Sequence, residues 1–174
     1  MKSSQQSELA VVIPIYNEAT ILHDAILAFT KKITEIISDA DWHYVLVENG
    51  STDNTTEILQ QLEKIRPSTE VIRIPDANYG NALRTGLLAA HSDWCLIMNI
   101  DHLWDAEFFS WAWRCRHDFD LVLASKRADL TLNQQGWYRQ FLSGGFNFLL
   151  QSFFGSMVTD THGMKLLHLT ALRP

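Results

Sequence analysis

Short apolar runs alternate along this chain with longer stretches in which apolar residues recur every three or four positions. The short runs are typical of buried strands, and we place these at residues 9–13, 44–47, 71–74, 94–98 and 121–124. The first run stops at Pro14, which predicts the end of that strand.

The longer stretches predict amphipathic helices. The first helix carries an apolar face with steps of four and three, formed by Leu22, Ile26, Phe29, Ile33 and Ile36. The second carries Ile58, Leu62 and Ile65, and Asn54 and Glu57 at its start have the spacing of a capping box. A third, rich in small residues, spans 81–91, and a short fourth runs through Phe108 and Trp113. Strands that alternate with helices predict an α/β fold with a mainly parallel sheet flanked by helices.

Length and composition place the chain among globular proteins with one domain. Of its 174 residues 47% are hydrophobic and 20% charged, which excludes a disordered chain. We expect a flexible polar N-terminus over residues 1–8 and a single domain over 9–174. The net charge of −6 leaves no broad basic face and argues against nucleic acid as a partner.

Several features bear on the compartment. Cys95 and Cys115 lack metal-ligand spacing and predict buried free thiols, which fits a reducing environment. No signal region and no apolar run of roughly 20 residues is present, so we expect a cytoplasmic chain, either soluble or peripheral at the cytoplasmic face of a membrane. Residues 137–154, from Trp137 to Phe154, are strongly aromatic and aliphatic with polar interruptions. They predict either a helix packed in the domain or an interfacial helix that faces lipid or a lipid-linked acceptor.

Polar and turn-forming residues follow the predicted strands, where the carboxyl ends of parallel strands form a ligand-binding edge. Those after the first two strands are Pro14, Tyr16, Asn17 and Glu18, then Glu48, Asn49, Gly50, Ser51 and Asp53. Those after the fourth and fifth are Asn99, Asp101 and His102, then Ser125, Lys126 and Arg127. The alternative is that these residues only cap helices or solvate loops, a role open to Asn17, Ser51 and Asp53 in particular.

This edge suits a nucleoside diphosphate, whose clustered negative charge needs a metal, basic side chains or both. Asp101 offers a hard oxygen ligand for Mg²⁺ or Mn²⁺. Arg127, Arg139 and Lys165 are candidates to balance the phosphate charge. The sequence contains no Walker-type loop and no G-x-G-x-x-G after the first strand, which excludes a P-loop enzyme and argues against a dinucleotide site.

The motifs together resemble glycosyltransferase family 2. They are VIPIYNE at 12–18, VENGSTDNT at 47–55, NYGNALRTG at 78–86 and NID at 99–101, in the family's order. Arg139, Ser143, Asn147 and Gly155, followed by DTHGMK at 160–165, look most like the dolichol-phosphate mannose synthase branch. The resemblance covers about residues 9–168.

The resemblance implies a GT-A fold, which is Rossmann-like, and inverting transfer from a nucleotide-sugar of the GDP-mannose or UDP-glucose type. It places the nucleotide-sugar against Pro14, Tyr16, Glu18, Glu48, Gly50, Ser51, Asp53, Gly80 and Asn99. Asn99 and Asp101 occupy the outer positions of the metal-binding D-x-D, and Asp101, Arg127 and Lys165 are the expected catalytic residues. Arg139 and His162 are candidates for the acceptor or its phosphate, although His162 also fits a structural loop histidine or a base.

A polyprenyl-phosphate acceptor is compatible with the absence of an obvious additional carboxylate. A sugar hydroxyl needs a general base, whereas a polyprenyl phosphate is already anionic, so we favour the lipid phosphate. The sequence departs from the family at Asn99, at Leu103-Trp104, and in stopping at Pro174 where family domains run further, so we expect the C-terminal part of the fold to be missing. A catalytically inactive nucleotide-sugar-binding or partner-docking domain, and a nucleotidyltransferase, stay open as alternatives.

Overall fold

The computed structural model describes residues 7–38, 40–66, 68–100, 106–124 and 164–172. The strands are β1 (Ser7–Ile15), β2 (Trp42–Asn49), β3 (Thr69–Ile74), β4 (Ser92–Ile97), β5 (Leu121–Leu123) and β6 (Lys165–His168). The α-helices are α1 (Leu22–Ile36), α2 (Thr55–Ile65), α3 (Tyr79–Ala89), α4 (Ala106–Arg114) and α5 (Leu169–Leu172), and a 3₁₀ turn spans Arg116–Asp118.

The chain divides into two compact units. One comprises residues 1–122 and 164–174 and contains the sheet up to the start of β5. The other comprises residues 123–163, of which the structure describes Leu123 and Ala124. In the described parts of the chain, no helix combines the length and the apolar character needed to cross a membrane.

The strands form one sheet in the order β3-β2-β1-β4-β6-β5. The neighbours β3–β2, β2–β1 and β1–β4 are parallel, which confirms the prediction of a mainly parallel sheet with helices in its connections. The sequence did not predict β6, which runs antiparallel to β4 and makes the sheet mixed. Its four residues include only two large apolar ones, Leu166 and Leu167, which is too short a pattern to indicate a strand.

The prediction that β1 ends at Pro14 is wrong, because the strand continues to Ile15. Pro14 pairs with Val47 of β2, whereas the pairing of β1 with β4 ends at Val12. The carbonyl of Val12 accepts a hydrogen bond from Met98, on the β4 side. Because alternate residues of a strand direct their backbone groups to the same neighbour, Pro14 faces the β4 side beyond the last pair, where no N–H is needed.

The helices bury one face each, but the face of α2 differs from the prediction. Leu22, Ile26, Phe29 and Ile33 of α1 are buried as predicted, whereas Ile36 is only partly buried and Ile37 is buried instead. In α2 the buried residues are Thr55, Leu59 and Leu62, whereas Ile65 is 64% exposed. The predicted capping box is also wrong, because Asn54 occupies the N-cap position but its side chain accepts no capping hydrogen bond.

Both cysteines are free, as predicted, but Cys115 is only partly buried.

The close approach of α3 to the sheet depends on a glycine. A Cβ atom at Gly86 would lie 2.5 Å from Val12 Cγ1 and 3.1 Å from Val47 Cγ2. Both valines are fully buried in the core on this side of the sheet. The absence of a side chain at position 86 therefore sets how near α3 lies to β1 and β2.

We predict that Gly86→Ala lowers the free energy of unfolding by about 1–3 kcal/mol, because the new methyl group overpacks the core. Gly80→Ala, in the same helix, is the matched control, since a Cβ there would meet only Asn78 Oδ1 at 3.6 Å. That variant should gain up to about 1 kcal/mol from helix propensity. Urea unfolding of both variants measures the difference, and equal effects would contradict the close packing of α3.

Candidate functional site

The loops that follow β1 and β2 are joined by reciprocal hydrogen bonds. The backbone N–H groups of residues 17–19 donate in turn to Ser51 Oγ at 3.0 Å, Thr55 Oγ1 at 2.9 Å and Asp53 Oδ2 at 3.2 Å. In return, Asn17 Oδ1 accepts the backbone N–H of Thr52 at 2.8 Å. Asn17 has a φ of 54°, a left-handed conformation that asparagine tolerates better than most residues. The two loops therefore hold one another in a single arrangement.

Asp53 is the centre of this arrangement. Its Oδ1 accepts from the backbone N–H and the hydroxyl of Thr55, at 3.1 and 2.5 Å, and its Oδ2 accepts from Ala19. The hydrogen bond from the Thr55 hydroxyl, with those from the backbone, holds the pKa of the Asp53 carboxyl below its usual range. Thr55 itself is fully buried at the start of α2. Asp53 thus supplies the helix-capping acceptor that was predicted for Asn54, and its contact with a nucleotide remains a prediction.

The end of β2 carries polar side chains that are nearly inaccessible. Glu48 and Asn49 are each 5% exposed. Glu48 Oε1 accepts from the backbone N–H of Ser51 at 2.5 Å, and Asn49 Oδ1 accepts from that of Asn78 at 2.7 Å. These bonds fold the loop after β2 back onto its strand and attach it to the start of α3. The sequence placed Asn49 at this edge but not among the binding residues, although a polar residue after a buried strand and before a glycine was the available signal.

Gly50 is required by the backbone at this turn. Its φ is 71°, and a Cβ atom would lie 2.8 Å from the carbonyl oxygen of Pro75 and 3.1 Å from the backbone nitrogen of Ala77. Only glycine fits such an approach without strain. Gly50 therefore lets the loops after β2 and β3 pass in contact at the carboxyl edge.

The start of α3 reaches the end of β4. Asn78 caps the helix, its Oδ1 accepting from the backbone N–H of Asn81 at 3.0 Å. The hydroxyl of Tyr79, whose residue is 50% exposed, donates to Asn99 Oδ1 at 3.1 Å. Gly80 follows in the first turn of α3. A Cβ atom there would meet only Asn78 Oδ1, at an ordinary contact distance of 3.6 Å, so the space beside Gly80 is open. Tyr79 was not selected from the sequence, because no local pattern relates it to a residue on another strand.

Lys165 is brought to the same edge by the antiparallel strand. It begins β6 and pairs with Ile97, the last residue of β4, two residues before Asn99. Its backbone therefore lies at the carboxyl end of β4, beside one of the predicted metal ligands. This position follows from the direction of β6 and not from any local sequence signal.

The structure places most of the predicted binding residues along one edge of the sheet. These residues are Pro14, Tyr16, Glu18, Glu48, Gly50, Ser51, Asp53, Gly80, Asn99 and Lys165. Tyr16 is 45% exposed, so its ring is accessible to a ligand. Asp101, Arg127, Arg139, His162 and residues 137–154 lie outside the described residues.

The described residues supply one of the two predicted metal ligands. Asn99 is half-buried, and its amide oxygen is the hard type of donor that Mg²⁺ and Mn²⁺ take. Within the described ranges, no group of three or more His, Cys, Asp or Glu residues is arranged to hold a metal. The chemistry of Asn99 fits a divalent cation, and Asp101 is the carboxylate that would complete the pair.

Comparison with known sequences identifies relatives. The profile described as "Glycosyl transferase family 2" matches residues 10–173. The chain is 32% identical over 107 residues to an undecaprenyl-phosphate 4-deoxy-4-formamido-L-arabinose transferase of Photorhabdus laumondii, across 58% of this chain and 31% of that protein. It is 27% identical over 97 residues to the transferase of the same name from Proteus mirabilis, across 55% of this chain and 29% of that protein. The matches thus span less than a third of these relatives.

Solved structures share the fold at low identity. A mannosyltransferase from Pyrobaculum calidifontis, in complex with GDP-Man and Mn²⁺, has a TM-score of 0.61 at 17% identity, covering 97% of this chain and 47% of that one. Glucosyl-3-phosphoglycerate synthase from Mycobacterium tuberculosis, in complex with Mn²⁺, UDP and phosphoglyceric acid, has a TM-score of 0.62 at 17% identity, covering 95% and 57%. The likeness confirms the expected GT-A architecture.

We predict that Asp53→Asn destabilises the chain in a pH-dependent manner. Because the pKa of Asp53 is lowered on folding, its contribution is complete above its ordinary value of 3.8 and is lost as pH falls through the lowered value. Urea midpoints of the wild type and the variant should therefore differ near neutral pH and converge in acid.

Asp76→Asn serves as the control for this measurement. Asp76 is an exposed residue in the loop after β3, and its carboxylate makes no hydrogen bond to another described residue. Its midpoint should follow the wild type at every pH. A constant difference between Asp53→Asn and the wild type down to strong acid would contradict the role of the ionised Asp53 carboxylate.

Proposed function

Because this chain belongs to glycosyltransferase family 2, we propose that it transfers a sugar from a nucleoside diphosphate-sugar to an acceptor. The observation that carries the proposal is the shared edge of the sheet. There the loops after β1 and β2 hold each other through residues 17–19 and 51–55, and the end of β4 lies beside the start of α3. In a parallel sheet this is the edge where ligands bind.

The proposed donor lies across this edge. The nucleoside is bordered by Pro14, Tyr16 and Glu18, with Glu48 towards the base or ribose. The exposed ring of Tyr16 supports a stacking role, and the open space at Gly80 supports a close approach of the ligand to the first turn of α3. Gly50, Ser51 and Asp53 shape the loop that closes the pocket, through the hydrogen bonds described above.

The transfer is proposed to be inverting, with the acceptor oxygen attacking the anomeric carbon as the nucleoside diphosphate departs. Negative charge then grows on the departing diphosphate, and positive groups at the edge stabilise it. Lys165, which pairs with the last residue of β4, and Arg127 are proposed to supply such charge. A divalent cation, Mg²⁺ or Mn²⁺ held by Asp101 and Asn99, would supply more at the same place.

The proposed acceptor is a polyprenyl phosphate. Two of the relatives are named as undecaprenyl-phosphate sugar transferases, which supports a lipid phosphate as the acceptor class. The phosphate oxygen is anionic near neutral pH, so its attack requires no general base. Arg139 and His162 are proposed to meet the acceptor phosphate, and residues 137–154 to face the membrane that carries it, at its cytoplasmic side.

A second candidate is a domain that binds the nucleotide-sugar without transferring it. The amide of Asn99 favours this candidate, because it carries no negative charge where the family has a carboxylate, and an uncharged ligand binds a divalent cation less tightly. The two candidates differ in turnover but not in donor binding.

We predict that GDP or UDP with Mn²⁺ raises the thermal stability of the chain, by about 2.7 kcal/mol at 100 times the dissociation constant. Asp101→Ala should abolish the Mn²⁺-dependent part of this shift. Asp93→Asn, at the opposite end of β4, is the matched control and should retain it.

Transfer of the sugar to a short polyprenyl phosphate then separates the two candidates. Product formation supports the transferase, and donor binding without product supports the inactive binder. If neither nucleotide stabilised the chain with Mn²⁺ present, both candidates would be excluded for donors of the GDP and UDP type.

A further inference from the structure

The Tyr79–Asn99 hydrogen bond joins two elements across the proposed site. Tyr79 is the first residue of α3, and Asn99 follows the end of β4. The phenol hydroxyl donates to Asn99 Oδ1 at 3.1 Å, and no other hydrogen bond between the Asn99 carboxamide and a described residue is present. The bond therefore favours the orientation in which Oδ1 is directed towards Tyr79.

Orientation matters for an amide in a way that it does not for a carboxylate. The oxygen of a carboxamide accepts hydrogen bonds or a cation, whereas its nitrogen only donates, and the two ends have nearly the same size. A half-turn about the terminal side-chain torsion exchanges them at little steric cost. An aspartate at the same position presents oxygen in either orientation.

The Tyr79 hydroxyl biases this choice. A phenol hydroxyl can also accept a hydrogen bond from an amide N–H, but it is the stronger donor, so its bond to Oδ1 favours the orientation in which the oxygen faces the start of α3. A carbonyl oxygen has two lone pairs, so one remains after the bond to Tyr79 is made. Hydrogen bonds to a metal-ligating group from a neighbouring side chain commonly fix its orientation in this manner.

We propose that Tyr79 is a positioning residue that turns the Asn99 carboxamide so that its oxygen, and not its nitrogen, meets the divalent cation of the donor complex. This proposal rests on the proposed function of the site. It explains how the uncharged Asn99 can present an oxygen to the cation, a task for which a carboxylate would need no orienting group. It also assigns a role to the exposed Tyr79 of α3.

The test is a double-mutant cycle with Tyr79→Phe, Asn99→Asp and the double variant. The Mn²⁺ dependence of UDP or GDP binding is measured by calorimetry, with binding in EDTA as the reference. Tyr79→Phe should weaken the Mn²⁺-dependent binding about tenfold or more and leave binding in EDTA unchanged. In the Asn99→Asp background, the same change should cost less than about twofold, because both ends of the carboxylate are oxygen.

Tyr44→Phe is the matched control, because it removes another tyrosine hydroxyl with a side-chain partner. Tyr44 is buried in β2, and its hydroxyl lies 3.0 Å from Thr30 Oγ1. This variant should lose thermal stability but keep the Mn²⁺ dependence of the wild type. Tyr79→Phe should show the converse, since Tyr79 is half exposed.

Each outcome decides between the proposals. If Tyr79→Phe weakened Mn²⁺-dependent nucleotide binding equally with Asn and with Asp at position 99, Tyr79 would act by another route. If it did not weaken that binding with Asn99 present, Tyr79 would have no positioning role. In both cases the wild type still binds the nucleotide with Mn²⁺, and the proposed function stands. A wild type without Mn²⁺-dependent nucleotide binding would overturn both proposals.

Discussion

Three successive backbone N–H groups, those of residues 17–19, lie beyond the last pair of β1 with β2, where the ladder no longer offers acceptors. The side chains of Ser51, Asp53 and Thr55 accept from them instead. These side-chain acceptors take the place of a neighbouring strand and fix the geometry of both loops. The arrangement requires a left-handed backbone at Asn17, which asparagine tolerates. These hydrogen bonds therefore set the positions of the accessible side chains on the two loops, such as the exposed ring of Tyr16.

Further contacts link the loops and helix starts along the carboxyl edge of the sheet. Asn49 ties the end of β2 to the start of α3, Gly50 lets the neighbouring loops pass closely, and Tyr79 joins α3 to Asn99 after β4. Buried polar groups are costly unless they are hydrogen-bonded, so Asn49 and Glu48 are constrained to one arrangement. A site built from such contacts is held in place before a ligand arrives.

The opposite end of the sheet determines where Lys165 lies. Trp94 and His168 are register partners whose rings stack with centroids 4.5 Å apart and planes 16° apart. The backbone N–H of His168 also donates to the carbonyl of Asp120 at 2.9 Å. Because β6 is antiparallel and short, packing at His168 places its other end, Lys165, beside the carboxyl end of β4. The register of β4 with β6, together with this aromatic packing, thus places the backbone of Lys165 beside the carboxyl end of β4.

The sequence by itself determined the strands β1 to β5, the buried face of α1, and the edge where polar residues gather, because periodic burial and strand-end chemistry are local signals. Only the tertiary structure decided the continuation of β1 through Pro14, the buried face of α2, and the hydrogen bond from Ala19 to Asp53. These depend on what a neighbouring strand or loop offers. The strand β6 and the Tyr79–Asn99 bond are also tertiary, since each joins residues far apart in the chain. No local pattern carries information on which distant segment pairs with another.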